Sequence, residues 1–194
     1  MKALVNFAKG GWYPRGRLRL LQSLRDINFD GDVMSWTDEK EFDSPPHERV
    51  PYGFKIAAFR RAQEAGHEIV LWCDAAIWAI KPLDPIFRYI AEKGYVMFHS
   101  GHLTGVWTSD ACLSAFGTDR ETAMHIPMIS AGCLGLDFRH ARSREFLDRL
   151  EAASKDGRSF QGNWTNSNCE VSNDPRVRGH RHDQSVSSLL AHEY

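Results

Sequence analysis

The sequence predicts an α/β domain with a mixed central sheet flanked by helices. Short apolar runs alternate with segments of helical period, the 194 residues match the size of one domain, and 42% are hydrophobic, enough to bury a core. A single domain is therefore expected over residues 1–194. Lys plus Arg number 24 against 25 Asp plus Glu, so no net field recruits nucleic acid or an anionic membrane, and phosphate binding must be local. No apolar run approaches the roughly 20 residues of a membrane span, and Met1–Phe7 is too short for the core of a secretory signal. The chain reads as cytoplasmic, with no nucleic-acid partner and no membrane span. Cys73, Cys112, Cys133 and Cys169 lack the paired spacing of a zinc ribbon or disulfide framework.

The elements follow in order. Ala3–Ala8 is a buried first strand that ends in the turn Gly10-Gly11. Leu18, Leu21, Leu24 and Ile27 recur at helical spacing from Arg17 to Ile27, and Asp32–Thr37 is a second strand. The charged, Pro-containing stretch from Asp38 to Pro51 is an exposed connection. Phe54–Ala65 is a helix stopped by Gly66, and Glu68–Cys73 is a buried strand. Asp84 caps a helix that carries Pro85 at its first position and runs to Gly94. Strands at Tyr95–His99 and Ile129–Phe138, a short helix at Asp110–Phe116, and a helix at Arg144–Ser154 capped by Ser143 complete the middle. Asp156–His182 has no period and is a long functional loop, and Gln184–Ala191 is a last helix.

In an α/β sheet, ligands sit beyond the carboxyl ends of the strands. Asp74 follows the Glu68–Cys73 run, where a carboxylate either holds a metal or ribose hydroxyl or caps a turn. Asn6 at the end of the first strand, with Arg15 and Arg17 beyond the glycine turn, can meet base, ribose and phosphate or form a solvated face. Asp183 opens the last helix as a plain cap or as a chemical group, preceded by His180 and His182. Trp107 and Trp164 are core residues or sugar platforms.

The run from Ile69 to Phe87, with Trp72-Cys73-Asp74-Ala75-Ala76 at its centre and Pro82-Leu83-Asp84-Pro85 after it, resembles the Asp-x-Asp segment of glycosyltransferases with the glycosyltransferase-A fold, the nucleotide-diphospho-sugar transferase superfamily. The resemblance implies that Asp74 is the first Asp, which contacts donor ribose or metal. It puts Ala76 in the second position, which holds a divalent ion against the diphosphate, yet Ala76 offers no side-chain oxygen. Either Asp74 with His180 and His182 binds Mn²⁺ or Mg²⁺, or cationic side chains neutralise the diphosphate.

Three other stretches agree with the same family. Pro51–Ile56 looks like a segment that lays an aromatic ring and Lys55 near the nucleotide, with Phe54 the better core residue. Ile129–Leu136 resembles a strand that approaches the donor sugar, where Gly132 and Gly135 permit close contact or mark a bulge. Gly179–Ser185 resembles a His-Asp-Gln-Ser element that sets an acid or amide, here Asp183 and Gln184, beside the anomeric carbon. The implied activity is a hexosyltransferase-like transfer in carbohydrate biosynthesis, from a nucleotide sugar, UDP-sugar favoured, to a glycan or other hydroxyl acceptor. The donor would contact Asn6, Arg17, Lys55, Asp74, Ala76 and Gly132. A non-catalytic sugar-binding protein of the same fold, and a metal-dependent hydrolase using Asp74, His180, His182 and Asp183, are the alternatives.

Overall fold

A computed structural model describes residues 1–193. Five strands, β1 (Lys2–Phe7), β2 (Asp32–Trp36), β3 (Ile69–Cys73), β4 (Tyr95–Leu103) and β5 (Pro127–Asp137), form one sheet in the order β2-β1-β3-β5-β4. β1 runs parallel to both neighbours, with Val5 opposite Met34 and Trp72, whereas β5 runs antiparallel to β3, with Cys133 opposite Cys73. The chain goes from β1 to β2 on one side and later to β3 on the other, so the strand order reverses between β1 and β3. In open α/β sheets such a reversal opens a crevice at the strands' carboxyl ends.

The helices are α1 (Tyr13–Asp26), α2 (Phe54–Glu64), α3 (Asp84–Lys93), α4 (Asp110–Ala115), α5 (Arg120–Ala123), α6 (Ala141–Lys155) and α7 (Asp183–His192). Among the described residues no helix is long and apolar enough to cross a membrane. The chain divides into two compact units. The first holds Met1–Pro45, Phe54–Met97 and Gly132–Arg144, and the second holds Pro46–Gly53, Phe98–Ala131 and the chain from Glu145 onward.

In the first unit the strand alternation separates two packed faces. Leu4 and Leu71 meet Leu20 and Leu24 of α1 and Phe87 and Ile90 of α3. On the other face Phe7 lies 5.4 Å from Phe42 and 4.7 Å from Phe54, and Phe54, itself half-buried, lies 5.8 Å from Trp72. In the second unit Met128, Leu147, Phe160, Val186 and Leu190 are fully or almost fully buried.

Several boundaries differ from the expected ones. α1 starts at Tyr13 rather than Arg17 because Pro14 presets the first turn, a signal that apolar spacing does not carry. β4 extends beyond His99 to Leu103; it is an edge strand whose last residues are mostly exposed, so no buried alternation marks it. Ser143 is not the cap of α6. It lies inside the first turn and its hydroxyl donates to the Gly94 carbonyl at 2.7 Å. Asp84 is likewise helical rather than the cap, which is Leu83, and its carboxylate meets Lys2 at 3.0 Å.

Candidate functional site

At the reversal between β1 and β3 the first unit gathers a polar cluster. Asn6 is fully buried and its amide donates to the Cys73 carbonyl at 2.6 Å, tying the ends of the two strands together. Ser35, at the matching end of β2, donates to Asn6 Oδ1 at 3.3 Å and accepts from Arg17 Nε at 2.7 Å. A buried amide with both ends engaged is fixed in orientation, and it fixes Arg17 through Ser35. Gly10 and Gly11, both left-handed with φ of 71° and 52°, turn the chain from β1 toward α1. The turn ends at Trp12 and Tyr13, an exposed pair stacked at 4.7 Å.

Asp74 stands one residue past β3. Its carboxylate accepts from the Trp72 indole at 2.7 Å and lies 3.5 Å from Lys55 Nζ. Lys55 is only 7% exposed, and an ammonium so far from water requires anionic company. The Asp74 N–H donates to the Gly132 carbonyl at 2.8 Å, so Gly132 is brought beside Asp74 across the β3–β5 ladder. Ala76 contributes its carbonyl, which accepts from Arg19 at 3.0 Å. Asn6, Arg17, Lys55, Asp74, Ala76 and Gly132 thus all lie in this unit. Gly135 differs from its expected role: a Cβ there would stand 2.4 Å from Ile90 Cδ1, so its missing side chain lets α3 close onto the sheet.

The second unit contains Asp183, Gln184, His180 and His182. Asp183 is the first residue of α7 and is 5% exposed. Its predecessor His182 sits at φ 49°, a strained position for a non-glycine residue, with its Nδ1 2.9 Å from the Phe160 carbonyl. Gln184 lines a cleft of about 440 Å³ with His99, Ser130, Trp107, Trp164 and Arg181. Trp107 and Trp164 each have one face covered by the Arg181 guanidinium, which lies 3.7 Å from the centroid of each ring. The Arg181 sandwich was not singled out from sequence, although Arg181 stands between the two histidines that were.

Of the residues expected to hold a divalent cation, His180 and Asp74 are engaged by other partners in this structure. His180 Nδ1 accepts from the Ser109 N–H at 3.2 Å and Nε2 meets the Ser159 carbonyl at 3.0 Å, so neither ring nitrogen is left for an ion. Burial, reinforced by the nearby His182, pushes the His180 pKa down to about 3. Burial also lowers the His182 pKa. Asp74 is paired with Lys55, and Ala76 supplies no carboxylate. Among the described residues no three His, Cys, Asp or Glu side chains gather where they could hold a metal.

No protein-family model and no curated protein sequence matches this chain. Solved structures do. The chain is similar to mouse xyloside xylosyltransferase 1 at 11% identity and TM-score 0.51, covering 100% of this chain and 83% of that one. It is also similar to the glycosyltransferase GlyE of Streptococcus pneumoniae TIGR4 at 16% identity and TM-score 0.46, covering 97% of this chain but spanning only 42% of GlyE. A glycosyltransferase involved in glycosylation of the major capsid of PBCV-1 matches at 13% identity and TM-score 0.46, over 79% of this chain and 67% of that chain. The chain has the glycosyltransferase-A fold.

Proposed function

We propose that this protein is a glycosyltransferase that moves a sugar from a nucleotide-diphosphate sugar, UDP-sugar favoured, to a hydroxyl of a glycan or small acceptor, with residues 1–194 working as one domain. The observation that carries the reading is the cluster at the β1/β3 reversal: Asp74 paired with the buried Lys55, and Arg17 held by Ser35 and Asn6. A nucleotide binds at such a reversal because fixed donors and cations can converge there without helices in the way.

In this reading Asp74 contacts the ribose, and Lys55 and Arg17 take the charge of the diphosphate. The acceptor oxygen attacks the anomeric carbon while the bond to the diphosphate breaks and the electron pair leaves with it. Preplaced cations that meet that growing charge lower the barrier. For the second unit we propose separately that Gln184 and Asp183 serve the sugar. If the product anomer is inverted, Asp183 takes the acceptor proton; if it is retained, the departing diphosphate takes that proton and Asp183 or Gln184 faces the oxocarbenium-like centre without forming a bond to it. No step is assigned to a metal, because the His180 ring nitrogens and the Asp74 carboxylate are engaged by other partners; the hydrolase alternative would need both released.

The test is hydrolysis and transfer from UDP-sugars and GDP-sugars, with Mn²⁺ and with chelator. Turnover should persist in chelator and fall at least a hundredfold in Asp74→Asn. Undiminished turnover in that variant would falsify the assignment. Ala76 also favours a second reading, a nucleotide-sugar-binding protein without catalysis, which predicts tight binding of the same donors and no turnover by the wild type.

A further inference from the structure

Among the described residues, the second unit has two adjoining clefts lined by arginine and histidine side chains but by no carboxylate. The first, of about 440 Å³, contains Arg181, His99 and His102. The second, of about 580 Å³, shares His102 and Trp107 with it and adds Arg176 and Arg178. In a chain of net charge −1, such walls are a local choice rather than an overall bias.

The arginines differ in how they are used. Arg176 is held by Asp174 and Glu121, as Arg120 is by Asp110 and Arg149 by Glu193. Arg181 has no carboxylate partner among the described residues. It lies between the Trp107 and Trp164 rings, and its only side-chain hydrogen bond there is from Nη1 to the Trp164 carbonyl at 2.6 Å. A guanidinium has five N–H donors in one plane, so a clamped plane with one donor engaged is a fork held ready for a carboxylate or sulfate. Burial between the indoles disfavours its charge, and an incoming anion would relieve that cost.

The sandwich is built by the backbone, not left by a mobile surface arginine. The Arg181 N–H donates to the Trp107 carbonyl at 3.1 Å. Gly179 approaches the loop so closely that a Cβ would stand 2.0 Å from the Trp164 carbonyl oxygen. His182, next in sequence, holds the strained φ of 49°. Trp164 remains 49% exposed, leaving apolar surface beside the cation for the C–H groups of a sugar ring.

We propose that this cleft binds an anionic saccharide, a sugar bearing a carboxylate or sulfate, as the acceptor, with Arg181 as the group that selects it. The proposal rests on the glycosyltransferase reading for the word acceptor, but not for the binding itself.

The experiment measures affinities of the intact protein for a glucuronate oligosaccharide, a sulfated one, their neutral glucose counterpart, and UDP. Wild type should bind one or both acidic sugars at least tenfold more tightly than the neutral one, and the two acidic arms identify the anion. Arg181→Gln should bring acidic and neutral sugars within about twofold while UDP affinity stays within twofold, and Arg181→Lys should keep part of the preference. Equal affinities in wild type overturn the proposal. So does an Arg181→Gln variant that loses UDP affinity but keeps the sugar preference, since Arg181 would then serve the diphosphate. Should Arg181→Gln fail to fold, the wild-type preference must itself shrink in roughly 1 M salt, where the screening length is about 3 Å; a preference unmoved by salt overturns it. Acidic-sugar binding without donor turnover sinks only the enzyme reading, and turnover without sugar preference sinks only this one.

Discussion

His180 is held by partners distant in sequence. Flanking Asp183, it offered an imidazole to a metal; folded, both its nitrogens are spent on Ser109 and Ser159. Nothing in the sequence marks a histidine whose partners lie 71 and 21 residues away. Its burial has a consequence for stability of definite sign. With a folded pKa near 3 against 6.5 unfolded, the unfolded chain binds the proton first as pH falls. The contribution is complete above pH 6.5 and drains by about 1.4 kcal/mol per pH unit between roughly 6.5 and 3. His182, lowered in the same direction, adds to the slope. Urea unfolding at pH 7, 6, 5 and 4 checks this: wild type should lose stability toward acid, and His180→Gln, whose amide does not titrate, should lose it less steeply. Equal slopes would remove the assignment. The thiols give a second residue-scale expectation. Cys112 is fully buried and its pKa is pushed up by that burial, whereas Cys169 is exposed; alkylation followed by peptide mapping should modify Cys169 in the native protein and reach Cys112 only after denaturant is added.

At the scale of elements, the sequence was most legible where burial imposes a period. β1, α2 and β3 fall within one residue of their expected bounds because each presents a hydrophobic face or run; β2 does so as well, although it is an edge strand with no buried residue. β4 and the start of α1 were not, since an exposed edge strand and a proline-initiated turn leave no such trace. The contact that links α1 to the site was also invisible. Gly16 packs so tightly that a Cβ would stand 2.2 Å from the Ala75 carbonyl oxygen, one residue past Asp74, while Arg17 and Arg19, one and three residues further on, hold Ser35 and the Ala76 carbonyl. In an open helix Gly→Ala stabilises by about 1 kcal/mol, but here the obstacle is backbone, and overpacking costs roughly 1–3 kcal/mol. Gly16→Ala should therefore lower the urea midpoint and, by displacing the Asp74 turn, reduce donor affinity. A variant more stable than wild type would show that α1 is free to shift and that its docking does not set the geometry of Asp74.

For the whole molecule, net charge predicted only that nucleic acid and membranes are not drawn by a long-range field, and it could not reveal where cations concentrate. The fold assigns Lys55 and Arg17 to the first unit and Arg181 to the second, each placed by hydrogen bonds or ring contacts that sequence spacing does not encode. A ligand that binds only the folded state stabilises it by RT ln(1 + [L]/Kd), about 2.7 kcal/mol at a hundredfold excess over Kd, which for a chain of this size is roughly 5–10 °C in Tm. UDP should therefore raise the melting temperature, and hydrogen exchange should report where. Protection is expected in peptides carrying Asn6, Arg17, Ser35, Lys55 and Asp74, because a diphosphate on Lys55 and Arg17 would still the ends of β1, β2 and β3 together. Asp74→Asn should cut the Tm rise and the protection in parallel. A UDP-induced rise in Tm with unchanged exchange in those peptides would place the nucleotide elsewhere on the chain and detach the Asp74 cluster from the proposed chemistry.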